Sequence, residues 1–280
     1  MQSGTGSLIH DHATSLRIAR RYAELLGVNQ GDLATLQGMD LMRLYEAQAT
    51  VGAEERNGLP AAPWLDGDLL PDTFGDALTH PTAPVPLMAG STREEIRLFE
   101  VLPGEILPRK WVDLEALVRA QLPADQAEQV LAVYPRTTEG RRALGTDLAF
   151  GIPTRHFAER HARHNPTWLY RFDYGGPLVG AAHSLELAFL WPYRGLIVAL
   201  MRGWPMSGAR QALARRMRAH WTHFTRHGRP QPDWPAYSHD ARDVRLFNLK
   251  DSNAANPDAD RFAAWDGQDV RPGLTVAAVR

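Results

Sequence analysis

A chain of 280 residues with 44% hydrophobic and 22% charged content carries enough apolar material for a large core and cannot be a disordered tail. Its formal net charge of -1 supplies no global pull toward nucleic acid or an anionic membrane, and no apolar run approaches the ~20 residues that a membrane helix needs. Zero cysteines exclude disulfides and thiol chemistry without fixing a compartment, so localisation is left open. No repeat or Ser/Gly linker divides the sequence, and residues 1–280 read as one domain or part of one, with a small molecule as the expected partner.

In chain order, residues 1–7 read as a loop, and 14–26 as a helix closed by Gly27 with Ala13, Leu16, Ala19 or Arg20, and Ala23 or Leu26 on its apolar face. Residues 33–49 read as a helical pair interrupted at Gly38. The Pro/Gly-rich stretch 57–86 is too long to lie structureless in a compact domain unless something pins it, and the Asp66-Gly67-Asp68 turn is one such pin. The apolar run 85–89, bounded by prolines and Gly90, predicts a parallel strand that delivers Glu94 and Glu95 at its C-terminal side, the edge where open α/β sheets place ligand sites.

Helical runs follow at 114–122 and 125–133, stopped by Pro123 and Pro135, and a longer one is expected to start at the Thr146-Asp147 N-cap pair and run toward Arg163. Aromatic and polar residues alternate over 168–174 before Gly175-Gly176, which predicts the next strand. Ser207 caps a helix to about 227, on which Leu213, Met217, Trp221 and Phe224 share one face. Short strands are expected at 244–247 and 274–279, with a polar loop at 251–260 between them.

Chemistry points to Gly180-Ala181-Ala182-His183-Ser184-Leu185-Glu186-Leu187. A histidine flanked by small residues, just past the Gly175-Gly176-Pro177 turn, sits where a loop holds an imidazole at the lip of a sheet. Glu95 lies 88 positions earlier, also just after a predicted strand, so both groups reach the same sheet edge. In acyl transfer an imidazole takes a serine proton and returns it to the leaving alkoxide, and a buried carboxylate fixes its tautomer and stabilises the imidazolium.

Four segments then carry a resemblance: Ala62-Pro63-Trp64-Leu65-Asp66-Gly67-Asp68-Leu69-Leu70-Pro71; residues 90–99; residues 180–191; and Trp221-Thr222-His223-Phe224 through Gly228-Arg229-Pro230 with Trp234-Pro235-Ala236-Tyr237. In that order they resemble the C-terminal half of a type B carboxylesterase, the family that includes cholinesterases and bacterial para-nitrobenzyl esterases. The resemblance implies an α/β fold, the C-terminal part of an α/β-hydrolase with a mostly parallel sheet and helices on both faces. It also implies hydrolysis of a small-molecule carboxylic ester without a cofactor. Glu95 matches the triad acid by its spacing from Gly90, with Glu94 as competitor, and His183 matches the triad base. Two departures stand out: Ile96 replaces the glycine that usually follows the acid, and Ser184 stands where glycine often follows the histidine.

The third triad member is missing. No Gly-x-Ser-x-Gly and no Gly-Gly oxyanion loop occurs in the 280 residues, and Ser3 and Ser7 read as turn or cap residues. The expectation is an absent N-terminal half that bears the nucleophile, with little turnover from this chain alone. The alternative is a non-catalytic α/β-hydrolase-like binding module or degenerate fragment.

Other clusters read as structural. His156, His161 and His164, and His220, His223 and His227, lie on two helices at near-ligand spacings, but neither group has a cysteine and His156 and His161 turn away from one another, so no metal is expected. Arg210, Arg215, Arg216, Arg218, Arg226 and Arg229 read as the solvated face of an amphipathic helix. Glu186, one turn past His183, is placed either to support the imidazole or simply to sit at a helix start, where the dipole favours a carboxylate.

Overall fold

The structure is a computed structural model that describes residues 1–4, 9–29, 31–55, 60–73, 83–102, 108–192, 195–203 and 205–268. Helix α1 (His12–Leu26) starts where Asp11 accepts from Thr14 N, and it ends where Gly27 turns left-handed at φ 68°. Helices α2 (Leu33–Gln37) and α3 (Leu41–Glu55) flank Gly38, the break expected from the sequence. Asp66 pins the following loop by accepting from Asp68 N and Leu70 N. Much of the rest of that stretch lies outside the described residues, as do Ser7 and the expected strand at 274–279.

The sheet is built from β1 (Leu87–Thr92), β2 (Thr167–Phe172), β3 (Asp243–Phe247) and β4 (Ser252–Ala255), in the order β1-β2-β3-β4. The first three strands run parallel and β4 pairs antiparallel with β3. Gln2 bridges Gly90 in parallel, so the first residues lie along the outer side of β1. Strand β1 begins two residues later than expected and runs through Gly90-Ser91-Thr92. Pro84 and Pro86 flank Val85 and have no N–H to give a ladder, so pairing starts only after them. At Gly90 a Cβ would sit 2.3 Å from Tyr170 O, a contact only glycine avoids.

Alternation along the strands decides which face each residue serves. Met88, Trp168, Tyr170, Phe172 and Phe247 form one core with Leu213, Ala214 and Met217 of the long helix α11 (Gly208–His227). Ala89, Leu169 and Val244 point the other way, onto Ala158 of α8 (Ile152–Ala162). Helices thus cover both faces, as the family resemblance implies, and β2 is an interior strand with both faces covered by this chain's own elements.

Between the strands lie α4 (Ile96–Val101), α5 (Trp111–Gln121), α6 (Ala124–Ala132), α7 (Thr138–Thr146), α9 (Leu187–Leu190) and α10 (Leu196–Arg202), with α12 (Ala259–Ala264) after β4. Two expectations fail here. Thr146 and Asp147 do not start a helix: Thr137 caps α7 through Gly140 N, and a π-helical turn (Asp147–Gly151) joins α7 to α8 without a break. Asp147 is buried because it accepts from Tyr134 OH at 2.8 Å and pairs with Arg261 at 3.2 Å, contacts that no local rule signals. Residues 251–260 are not simply a polar loop, since β4 and the start of α12 lie within them. Strand β4 gains its order from pairing with β3 rather than from apolar alternation.

Candidate active site

Strands β1 and β2 end side by side, and the turns that leave them are zipped together by backbone bonds. Arg93 N donates to Phe172 O, Glu94 N to Ala181 O, and His183 N to Glu95 O. Gly176 and Gly180 exchange both backbone bonds, which closes the loop that presents His183. Gly180 sits at φ 64°, and a Cβ there would meet the Arg97 guanidinium at 2.4 Å and a Glu94 oxygen at 2.5 Å. The small residues before His183 thus permit the close approach of the two turns.

Glu95 and His183 meet at the centre. His183 Nδ1 lies 2.6 Å from Glu95 Oε2, which fixes the tautomer with the proton on Nδ1 and leaves Nε2 free. The carboxylate is fully buried, at 0% exposure, and Oε1 accepts from Thr92 N and from Ser3 Oγ, each at 2.6 Å. Three short donors offset the desolvation of that charge. Glu94, the competing acid, instead accepts from Ala181 N and Arg97, so it holds the loop and does not touch the imidazole.

Burial works against the charged form of His183, but the hydrogen bond and negative charge of Glu95 outweigh it, and its pKa is raised above the ordinary histidine value. The ring packs against a stacked pair of phenyl rings, with Phe150 at 4.9 Å and Phe99 at 5.2 Å, centroid to centroid, and 6.0 Å between the two phenyls. Phe150 reaches this position from the π-helical turn, a device often found where a side chain must be re-aimed. Both departures from the family pattern have a local account. Ile96 is buried and packs on Gly145, where a Cβ would meet Ile96 Cδ1 at 2.7 Å. Ser184 adopts φ 64°, the left-handed conformation that suits a glycine.

Glu186 is buried at 1% exposure. Burial first, and the nearby charge of Glu95 second, push its pKa up to about 7. Its Oε2 has no hydrogen-bond partner, so it acts on His183 through charge rather than through a bond from that atom.

These features point to one family. The carboxylesterase family model matches residues 1–265. This chain belongs to the carboxylesterase family. It is 27% identical over 274 residues to the para-nitrobenzyl esterase of Bacillus subtilis, covering 93% of this chain and 55% of that protein. It is 25% identical to a rat acylcarnitine hydrolase over 281 residues, covering 88% of this chain and 48% of the relative. Among solved structures, a para-nitrobenzyl esterase superposes with a TM-score of 0.75 at 26% identity, covering 94% of this chain and 56% of that one. A Geobacillus stearothermophilus carboxylesterase gives 0.73 at 27% identity, covering 94% and 57%. The chain therefore spans about half the length of the relatives it matches, and its fold is the α/β-hydrolase fold of those esterases.

This carboxylesterase-family chain uses several groups that sequence reasoning missed. Ser3, read as a turn residue, donates to the buried acid, and its φ of 44° helps aim it there. Phe150 and Asp147 were hidden inside an ordinary helical pattern. Among the histidines considered as metal ligands, His161 Nε2 bonds Val85 O and His223 Nδ1 bonds Arg229 O. His220 is packed on Trp234 and Phe247, and burial pulls its pKa down to about 4. No group of three or more His, Cys, Asp or Glu among the described residues is placed to hold a metal ion. No helix among them is long and apolar enough to cross a membrane.

Proposed function

We propose that this chain is the C-terminal portion of a single carboxylesterase domain and supplies the acid and base of a serine esterase, with Glu95 orienting and His183 transferring the proton. The 2.6 Å contact between a fully buried carboxylate and a tautomer-fixed imidazole carries this reading. His183 Nε2 takes the proton of a serine hydroxyl as that oxygen attacks the ester carbonyl, then returns it to the leaving alkoxide. Water repeats the cycle on the acyl-enzyme. Glu95 stabilises the imidazolium and is not itself protonated. The serine and the oxyanion donors are supplied by an N-terminal half outside these 280 residues, since no Gly-x-Ser-x-Gly occurs within them.

The substrate is an ester with an uncharged, apolar arm. A cavity of about 220 Å³ opens beside His183, walled by Leu98, Leu185, Leu187, Ala188, Val198 and Met201, and it holds no charged group besides that imidazole. Co-expression with a segment bearing the serine elbow should yield hydrolysis of p-nitrophenyl butyrate that His183→Ala abolishes. Soluble, assembled halves whose turnover ignores His183→Ala would end the proposal. The missing nucleophile favours one second reading, a non-catalytic binding or degenerate fragment; assembled but inert halves would support it.

A further inference from the structure

We propose that the outer face of α11 binds a small phosphate- or polyphosphate-bearing anion. The helix holds five arginines and three histidines and no carboxylate in its 20 residues, in a chain whose net charge is -1. Its arginines divide into two sets. Arg210, Arg216 and Arg218 are used internally: Arg210 bonds Tyr174 OH and Gly203 O, Arg216 forks onto Asp251, and Arg218 reaches Phe189 O. Arg215 and Arg226 have neither an ion pair nor a hydrogen bond among the described residues.

Several exposed or half-exposed arginines elsewhere are matched with acid, while Arg20 and Arg163 have no acid partner among the described residues. Arg17, Arg21, Arg119, Arg136 and Arg142 each pair with a glutamate. What sets the outer face of α11 apart is that its basic side chains lie together, at helical neighbour spacing. Arg215 and Arg218 are three apart, and His223 and His227 are four apart with ring centroids at 4.4 Å. A solvated face has no reason to exclude every carboxylate while repelling itself; an anion site has one.

The surface is also shaped. A groove of about 360 Å³ is lined by Arg215, Arg218, Thr222, His223, Arg226 and His227, together with Ala219 and Gln231, and no carboxylate lines it. That volume is at the low end for small-molecule sites and favours a compact anion over an extended polymer or a membrane plane. His223 Nδ1 donates to the carbonyl of Arg229 at 2.7 Å, so Nε2 is an acceptor in the neutral ring and offers a donor to an anion only when the ring is protonated. Arginine forks match phosphate oxygens bidentately, and Thr222 adds a hydroxyl donor. The groove lies on the opposite side of α11 from the sheet-facing residues Leu213 and Met217, so the site is separate from the Glu95 and His183 pair.

Calorimetric titration of the purified chain with inorganic tripolyphosphate at low salt tests this. We expect saturable one-to-one binding that weakens severalfold between about 50 and about 200 mM salt, as screening of exposed charges at about 8 to 10 Å demands. The double variant Arg215→Glu with Arg226→Glu should weaken it at least tenfold. Neither side chain has an internal partner to lose, and circular dichroism should confirm the fold. A control with the same charge change at exposed positions elsewhere, Arg20→Glu with Arg163→Glu, should weaken it less than twofold. Equal losses in the two double variants, absence of saturation, or binding to phosphatidylglycerol vesicles without binding to free tripolyphosphate would each overturn the proposal.

Discussion

Replacing Glu186 by glutamine should stabilise this chain, and only at high pH. Burial and the charge of Glu95 raise the Glu186 pKa from the ordinary 4.5 to about 7. A carboxyl group whose folded pKa exceeds its unfolded value keeps its proton longer when folded. The folded state therefore loses stability as pH climbs from about 4.5 to about 7, and bears the full cost above that. At about 1.4 kcal/mol for each tenfold change in proton affinity, a rise from 4.5 to about 7 corresponds to about 3 kcal/mol. Glutamine matches the shape and carries no charge, so Glu186→Gln should gain about that amount at about pH 8.5 and almost nothing at about pH 4.5. In a chain of this length about 1 kcal/mol moves the melting temperature by roughly 2 °C, so the expected rise at the higher pH is about 6 °C. Scanning calorimetry of both proteins at the two pH values checks this. An equal change at both values, or a loss at the higher one, would refute the idea that Glu186 is a strained buried carboxyl.

Three further outcomes follow from the geometry. Ser184→Gly should raise the urea midpoint by the equivalent of about 1 kcal/mol or less, because it relieves a left-handed backbone at φ 64° and adds glycine's entropy cost in return. Gly90→Ala should cost about 3 kcal/mol or prevent soluble expression, because its methyl would lie 2.3 Å from Tyr170 O in the β1/β2 ladder; an unchanged denaturation curve would show that the two strands sit farther apart. The chain alone should hydrolyse p-nitrophenyl acetate no faster than its His183→Ala variant, and turnover blocked by a serine-directed phosphonate would reveal a nucleophile within these residues.

Much of the fold could be read locally because its signals are local. Gly27, Ser207 and the break at Gly38 act within one helical turn, and each lies where the sequence places it. The strands at 168–174 and 244–247 are legible because apolar and polar residues alternate on a two-sided sheet. What escaped depends on partners distant in sequence. Asp147 looks like an N-cap until Tyr134 and Arg261 are seen on its carboxylate. Ser3 is an unremarkable loop serine until the fold brings it onto Glu95, 92 residues away. Strand β4 has no apolar alternation and exists through its pairing with β3. At the candidate site, types and spacing pointed to Glu95 and His183, and Glu94 was separated from Glu95 only by its distance from Gly90. The stacked pair of Phe99 and Phe150 beside His183 gave no sequence signal, since a π-helical turn aims one of its two rings.

The central claim is that Glu95 holds and charges His183. The most direct test is a pH titration of the His183 ring by ¹⁵N-detected NMR, in the chain and in its Glu95→Gln variant. The account predicts Nδ1 protonated in the neutral ring, a pKa above the ordinary histidine value of about 6.5, and a clear fall in that pKa when Glu95 loses its charge. A His183 pKa at or below the ordinary value that does not move in the variant would contradict it.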